Sequence, residues 1–214
     1  MMTDLFLPLA AFVVAAGIFT ITPGFDTALV LRTAATDGGR AAAAAAIGIC
    51  LGCLVWGAGA AFGLTALLAA SELAFSLLKW VGAAYLMYLG VKSLLWPRAG
   101  TASPAIMPPA PATGWRMDAF RSGLFTNLLN PKVGVFYITF LPQFIPPGVN
   151  VGLFSLALAA IHVALSLVWF NVLIALTVPL GHFLARPRVV RTLDRLTGCI
   201  FVGFGVRLAL SDRT

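Results

Sequence analysis

Residues 22–26 read Thr22-Pro23-Gly24-Phe25-Asp26 within one apolar stretch, and Asn130-Pro131-Lys132 falls within another in the second half of the chain. Thr or Asn before Pro signals a helix start. The side-chain oxygen caps free N–H groups, and proline suits the first helical position, where no N–H partner is needed. Inside stretches long enough to cross a bilayer, such starts mean broken membrane helices. At corresponding positions of two halves they are the sequence mark of a central substrate site in a secondary transporter.

The rest of the chain supports a membrane setting. Of 214 residues, 60% are hydrophobic and only 10% charged, with a mean hydropathy of +0.98, which is more apolar side chain than a soluble domain of this length can hide. Six apolar stretches are long enough to span: about 5–31, 41–69, 73–95, 120–141, 151–184 and 193–210. The expected fold is therefore an all-α integral membrane protein of six transmembrane helices, with the first and fourth broken at proline. No Lys or Arg precedes Arg32, so the first run lacks the basic start of a signal peptide and reads as a retained helix.

Charge fixes the expected topology. Arg32 and Arg40, then Lys92, Arg98, Arg116 and Arg121, then Arg186, Arg188, Arg191 and Arg195 all fall on the odd-numbered connections. The positive-inside rule makes those cytoplasmic and leaves both termini outside. This distribution at helix ends also accounts for the net charge of +7 without a nucleic-acid partner.

Residues 97–119 include a Pro- and Ala-rich run, PRAGTASPAIMPPAPATG from Pro97 to Gly114, that reads as a cytoplasmic linker. It separates a first three-helix repeat (1–96) from a second (120–214). Pro23 matches Pro131, Trp56 matches Trp169, Gly82 matches Gly198 and Lys92 matches Arg207, at offsets between 108 and 116 residues. With three spans in each half, the repeats are inverted relative to one another.

Pro131 lies ten residues after Arg121, or about 15 Å along a helix, near the middle of a core roughly 30 Å thick. Both half-helix N-termini then face the centre, where their free N–H groups and partial positive charge suit a carboxylate. Asp26 and Lys132 are the sharpest candidates, because an ionised group at mid-membrane costs about 2.5–3.5 kcal/mol to insert. The expected substrate-binding set is Thr22, Pro23, Gly24, Asp26, Asn127, Asn130, Pro131 and Lys132. A zwitterion would compete with an Asp26–Lys132 pair.

Helix five carries Ser155, His162, Ser166 and Trp169 on one narrow face. Ser155, Ser166 and Trp169 are candidates for lining the pathway, and His162, with Asp26, for coupling to protons; the alternative for His162 is a hydrogen-bonded structural role. Gly48, Gly52, Gly59 and Gly63 share a face of helix two, which predicts close packing against another helix of the chain or a second copy in a homodimer. Cys50-Leu51-Gly52-Cys53 raises the alternative of a thiol–disulfide electron carrier, although buried apolar cysteines are the simpler reading. A cation or metal exporter would want clustered acidic or His ligands. Neither a metal site, a nucleotide-binding phosphate loop nor an enzymatic constellation is expected, and no cofactor.

The chain resembles the LysE/RhtB family of bacterial amino-acid exporters over nearly its whole length. The resemblance is carried by Thr22-Pro23-Gly24-Phe25-Asp26, Gly38-Gly39-Arg40, Leu78-Lys79-Trp80-Val81-Gly82-Ala83-Ala84-Tyr85-Leu86, Tyr88-Leu89-Gly90, Asn127-Leu128-Leu129-Asn130-Pro131-Lys132 and Phe140-Leu141-Pro142-Gln143-Phe144. Phe25 departs from it, standing where the family usually has a second proline. The resemblance implies a multi-pass protein of the bacterial inner membrane that exports amino acids at the expense of the proton motive force.

Overall fold

The computed structural model describes residues 2–70, 72–97, 115–177 and 186–210, and every regular element among them is helical. Helix α1 (Met2–Ile21) is followed by α2 (Phe25–Thr36), α3 (Gly39–Ala70) and α4 (Glu72–Leu95). The second half contains α5 (Trp115–Leu128), α6 (Pro131–Val135), a π-helical turn (Phe136–Phe140), a 3-10 turn (Leu141–Phe144), α7 (Val151–Ala175) and α8 (Pro187–Leu210). Residues 98–114 of the linker and the end of the fifth apolar stretch, 178–184, lie outside the described residues.

Gly39–Gly63 and Val151–Ala175 are each long and apolar enough to cross a membrane. Leu5–Ile21 and Phe25–Thr36 pass together as one span bent by 52°. The bend falls at Thr22-Pro23-Gly24, where proline's missing N–H and ring end α1. The second break differs in detail. After Asn130-Pro131 the chain makes one short α-helix, then widens through the π turn and tightens through the 3-10 turn; π turns are frequent at functional sites.

The two breaks also start their helices differently. Asn130 is the cap expected of it: its side-chain oxygen accepts from the Lys132 N–H at 3.1 Å, with Pro131 at the first helical position. Thr22 is not a cap. Helix α2 starts at Phe25 behind Gly24, which offers no side-chain oxygen. The Thr22 hydroxyl turns back to the Ile18 carbonyl at 2.6 Å and contacts the Thr197 hydroxyl at 2.8 Å. A threonine at a helix end has both options, and a partner on α8 decides between them.

Packing brings the elements of the two halves together, most extensively α3 with α5, α4 with α8 and α3 with α7. Glycine permits the closest crossings. A Cβ on Gly48 would overlap the Phe120 carbonyl, and one on Gly123 the Ala45 carbonyl, so α3 and α5 touch backbone to backbone. Gly52 likewise faces Asn127, whereas Gly59 and Gly63 meet nothing within 4 Å. Among the described residues, the glycine face of α3 is therefore packed at Gly48 and Gly52 and open at Gly59 and Gly63. Its partner α5 ends at Leu128, and beyond the second break Gly134 meets the Trp56 ring of α3 instead.

Candidate functional site

The two breaks meet: Asn130 and Lys132 of the second reach Asp26, Phe19 and Thr22 around the first. A cavity of about 30 Å³ lies between them, lined by two charged side chains, Asp26 and Lys132, together with Thr22, Gly24, Asn130 and His162. That is room for about two water molecules, so admitting any larger solute requires the surrounding helices to move.

Each charge is held by a helix end that the breaks create. Asp26 sits in the first turn of α2, where a negative charge is favoured by the helix dipole. Its carboxylate accepts from Asn127 Nδ2 at 2.8 Å and Asn130 Nδ2 at 3.4 Å. Lys132 reaches back to the end of α1. Its Nζ donates to the carbonyls of Phe19 at 3.1 Å and Thr22 at 3.2 Å and lies 4.3 Å from the centre of the Phe19 ring. The prolines thus expose main-chain groups that hold the charges; Pro23 and Pro131 themselves are outside the cavity lining.

Asn127, fully buried on α5, stands behind the cavity rather than in its wall. Its amide nitrogen serves Asp26 and also Cys53 Sγ at 3.5 Å, while its Oδ1 has no hydrogen-bond partner. The two N-termini differ: that of α2 has no side-chain cap and carries Asp26 in its first turn, whereas that of α6 is capped by Asn130.

On α7, His162 and Ser166 line the cavity, whereas Ser155 and Trp169 do not. The Ser155 hydroxyl and the Trp169 indole N–H are buried without hydrogen-bond partners, as is the indole N–H of its sequence counterpart, Trp56. His162 Nδ1 is 2.9 Å from the Tyr137 hydroxyl. Cys50 and Cys53 are free and buried. Cys53 touches the cavity, while Cys50 belongs to a core with Leu29, Val30 and Phe170. Phe25 is 39% exposed and outside the cavity lining.

Sequence reasoning overlooked the aromatic wall. Phe19 stacks on Phe136 with centroids 4.3 Å apart, and Phe136 stacks on Phe140 at 5.2 Å. Phe12, two turns before Phe19, meets Phe136 at 6.0 Å and Phe144 at 5.3 Å. These rings form one buried cluster against the C-terminal half of α1, and Phe19 carries it to the edge of the cavity. The available signal was the spacing of Phe136, Phe140 and Phe144 every four residues.

A family model described as LysE type translocator matches residues 17–212. An uncharacterised membrane protein of Bacillus subtilis is 31% identical over 207 residues, covering 95% of this chain and 99% of the relative. A homoserine/homoserine lactone efflux protein of Salmonella typhi is 28% identical over 93% of this chain and 94% of its own length. A leucine efflux protein of Salmonella choleraesuis is 29% identical, over 92% of each. No solved structure matches.

Proposed function

Because the chain belongs to the LysE type translocator family, we propose that it is a secondary exporter of amino acids with neutral side chains, binding them at the central cavity. The carrying observation is that Asp26 and Lys132 line one small cavity. A zwitterion matches that arrangement: its ammonium replaces the amide donors at Asp26, and its carboxylate draws Lys132 from the carbonyls of Phe19 and Thr22. Thr22, Gly24 and Asn130 complete the polar wall, Asn127 orients Asp26, and Pro23 and Pro131 keep the helices broken. The remaining wall includes Phe19, Ile49, Val133 and Phe170. It offers a side chain apolar contact and no second anion, which disfavours lysine and arginine. The relatives named for homoserine and leucine efflux agree with that choice.

The exporter is read as six spans in the bacterial inner membrane, arranged as inverted repeats 1–96 and 120–214 around a 97–119 linker, with cytoplasmic odd-numbered connections and periplasmic termini. Packing of α3 on α7 and of α4 on α8, each an element against its counterpart, supports the repeat. Export is driven by protons, with Asp26 and His162 as carriers, supported by their facing the same cavity. Ser166 continues the pathway along α7, toward Trp169 in one direction and Ser155 in the other.

Proteoliposomes loaded with unlabelled amino acids will take up labelled leucine or homoserine by counterflow and will not exchange lysine. No exchange of any amino acid by demonstrably folded protein overturns the function, and preferred exchange of lysine overturns the neutral class. The electron-carrier alternative is separated by Cys50→Ala, which removes half of the dithiol away from the cavity. Counterflow within about twofold of the wild type is expected; its abolition in folded protein would favour the thiol chemistry.

A further inference from the structure

The first proline break leaves main-chain acceptors at the end of α1, and a cation from the second break is seated on them. The ladder of α1 runs as far as the Thr22 N–H, which donates to the Ile18 carbonyl at 3.0 Å. The next carbonyl, that of Phe19, would take its helical bond from position 23, but Pro23 has no N–H. The ladder of α2 begins with the Gly24 carbonyl, which accepts from Ala28, so the Thr22 carbonyl lies between the two. Lys132 Nζ donates to both, at 3.1 Å to Phe19 and 3.2 Å to Thr22, and stands 4.3 Å from the centre of the Phe19 ring. Gly24 lies alongside, where a Cβ would be 3.9 Å from Nζ. Phe19 and Thr22 are both buried.

These are the parts of an ammonium site. A helix C-terminus favours a cation, carbonyls at these distances accept N–H groups, and an aromatic face within about 6 Å attracts a positive charge. The seat opens on the cavity: Phe19, Thr22, Gly24 and Lys132 all line it, and so does Asp26, the counter-charge. When a substrate carboxylate draws Lys132 away, two main-chain acceptors lose their donor in surroundings without bulk water, which is unfavourable unless another donor arrives. An amino acid brings one. Its ammonium has the same three N–H groups as Nζ, and the departing lysine also vacates part of the wall of a cavity sized for water.

We infer that the Phe19 and Thr22 carbonyls, with the Phe19 ring, form the ammonium subsite of the exporter, and that Lys132 occupies it as an internal stand-in for the substrate. Binding is then an exchange of ammonium groups. Lys132 leaves for the substrate carboxylate, and the substrate ammonium takes its place beside Asp26. Neither carbonyl is left without a donor, and the net charge of the cavity does not change, since a zwitterion carries none. A primary ammonium fits because it donates to both carbonyls, whereas a quaternary one has no N–H to offer. An amine without a carboxylate is kept out while Lys132 is present, because nothing then draws the lysine away.

The inference rests on the exporter reading for its use, but its test does not require transport. Lys132→Ala removes a propyl chain and its ammonium, which n-propylammonium replaces in size and charge. In purified Lys132→Ala protein, n-propylammonium chloride should raise the melting midpoint by about 3–6 °C at ten times its Kd. In the wild type, whose seat is filled, it should do no more than sodium chloride, and tetramethylammonium should match sodium in both proteins. Adding Pro23→Ala to Lys132→Ala gives the Phe19 carbonyl a helical N–H and should raise the Kd for n-propylammonium roughly tenfold. Lys132→Ser is measured in parallel, and recovery of either single variant only in n-propylammonium supports the seat. A response no larger in both folded variants than in the wild type, an equal response to sodium or tetramethylammonium, or failure of both variants to fold even in n-propylammonium overturns the inference. Leucine counterflow by the wild type separates the two readings: the response without exchange keeps the ammonium site and overturns the exporter, and exchange without the response does the reverse.

Discussion

Asp26→Asn protein will fold, reach the membrane and lose amino-acid counterflow. Among the described residues the carboxylate is the only acidic group lining the cavity, and Asn127 and Asn130 donate to it. An ammonium bound there loses its counter-ion in the variant, in surroundings of low dielectric. Removing one partner from a buried charge pair costs about 2–5 kcal/mol, which is roughly 30-fold to several-thousand-fold in affinity. Folding is affected far less. The variant forfeits about 0.3–1 kcal/mol of attraction to the α2 N-terminus, but it no longer carries an ionised group at mid-membrane, which costs about 2.5–3.5 kcal/mol. Lys132→Met tests the other pole: it withdraws the donor from Phe19 and Thr22 and leaves a substrate carboxylate unpaired. Counterflow close to wild type in folded Asp26→Asn protein would remove the site.

How far the sequence foretold this arrangement depends on whether each interaction is local. Asn130-Pro131 was legible because its capping bond closes within two residues. Thr22-Pro23 was misleading because the hydroxyl's choice depends on Thr197, 175 residues away. Asp26 and Lys132 stood out as isolated charges, but their partners did not, since Lys132 binds main-chain carbonyls that any sequence would carry. Tyr137 drew no notice in an aromatic run and acquires meaning only beside His162. Periodicity placed Gly48, Gly52, Gly59 and Gly63 on one face correctly, yet it gave no length for the helix opposite them.

Gly123→Val will be the most damaging substitution outside the cavity. At this crossing a Cβ on α5 overlaps the Ala45 carbonyl of α3, and one turn away a Cβ on Gly48 would overlap the Phe120 carbonyl. A backbone carbonyl within a helix cannot rotate aside as a side chain can, so the two helices must separate along their contact. Overpacking typically costs about 1–3 kcal/mol, and here the loss extends to the neighbouring crossing, so 3 kcal/mol or more is expected. For a chain of this length that corresponds to a fall of about 10 °C in the melting midpoint, or to loss of folded yield. Transport falls with it, because Asn127 lies one turn beyond Gly123 on α5 and its 2.8 Å bond to Asp26 does not survive a displacement of an ångström. Gly59→Val is the matched control on α3, introducing the same branched side chain where nothing lies within 4 Å; it should shift the midpoint by no more than about 2 °C. Equal stability of Gly123→Val and wild type would mean that α3 and α5 are not in backbone contact, and the route from helix crossing to Asn127 and Asp26 would fail with it.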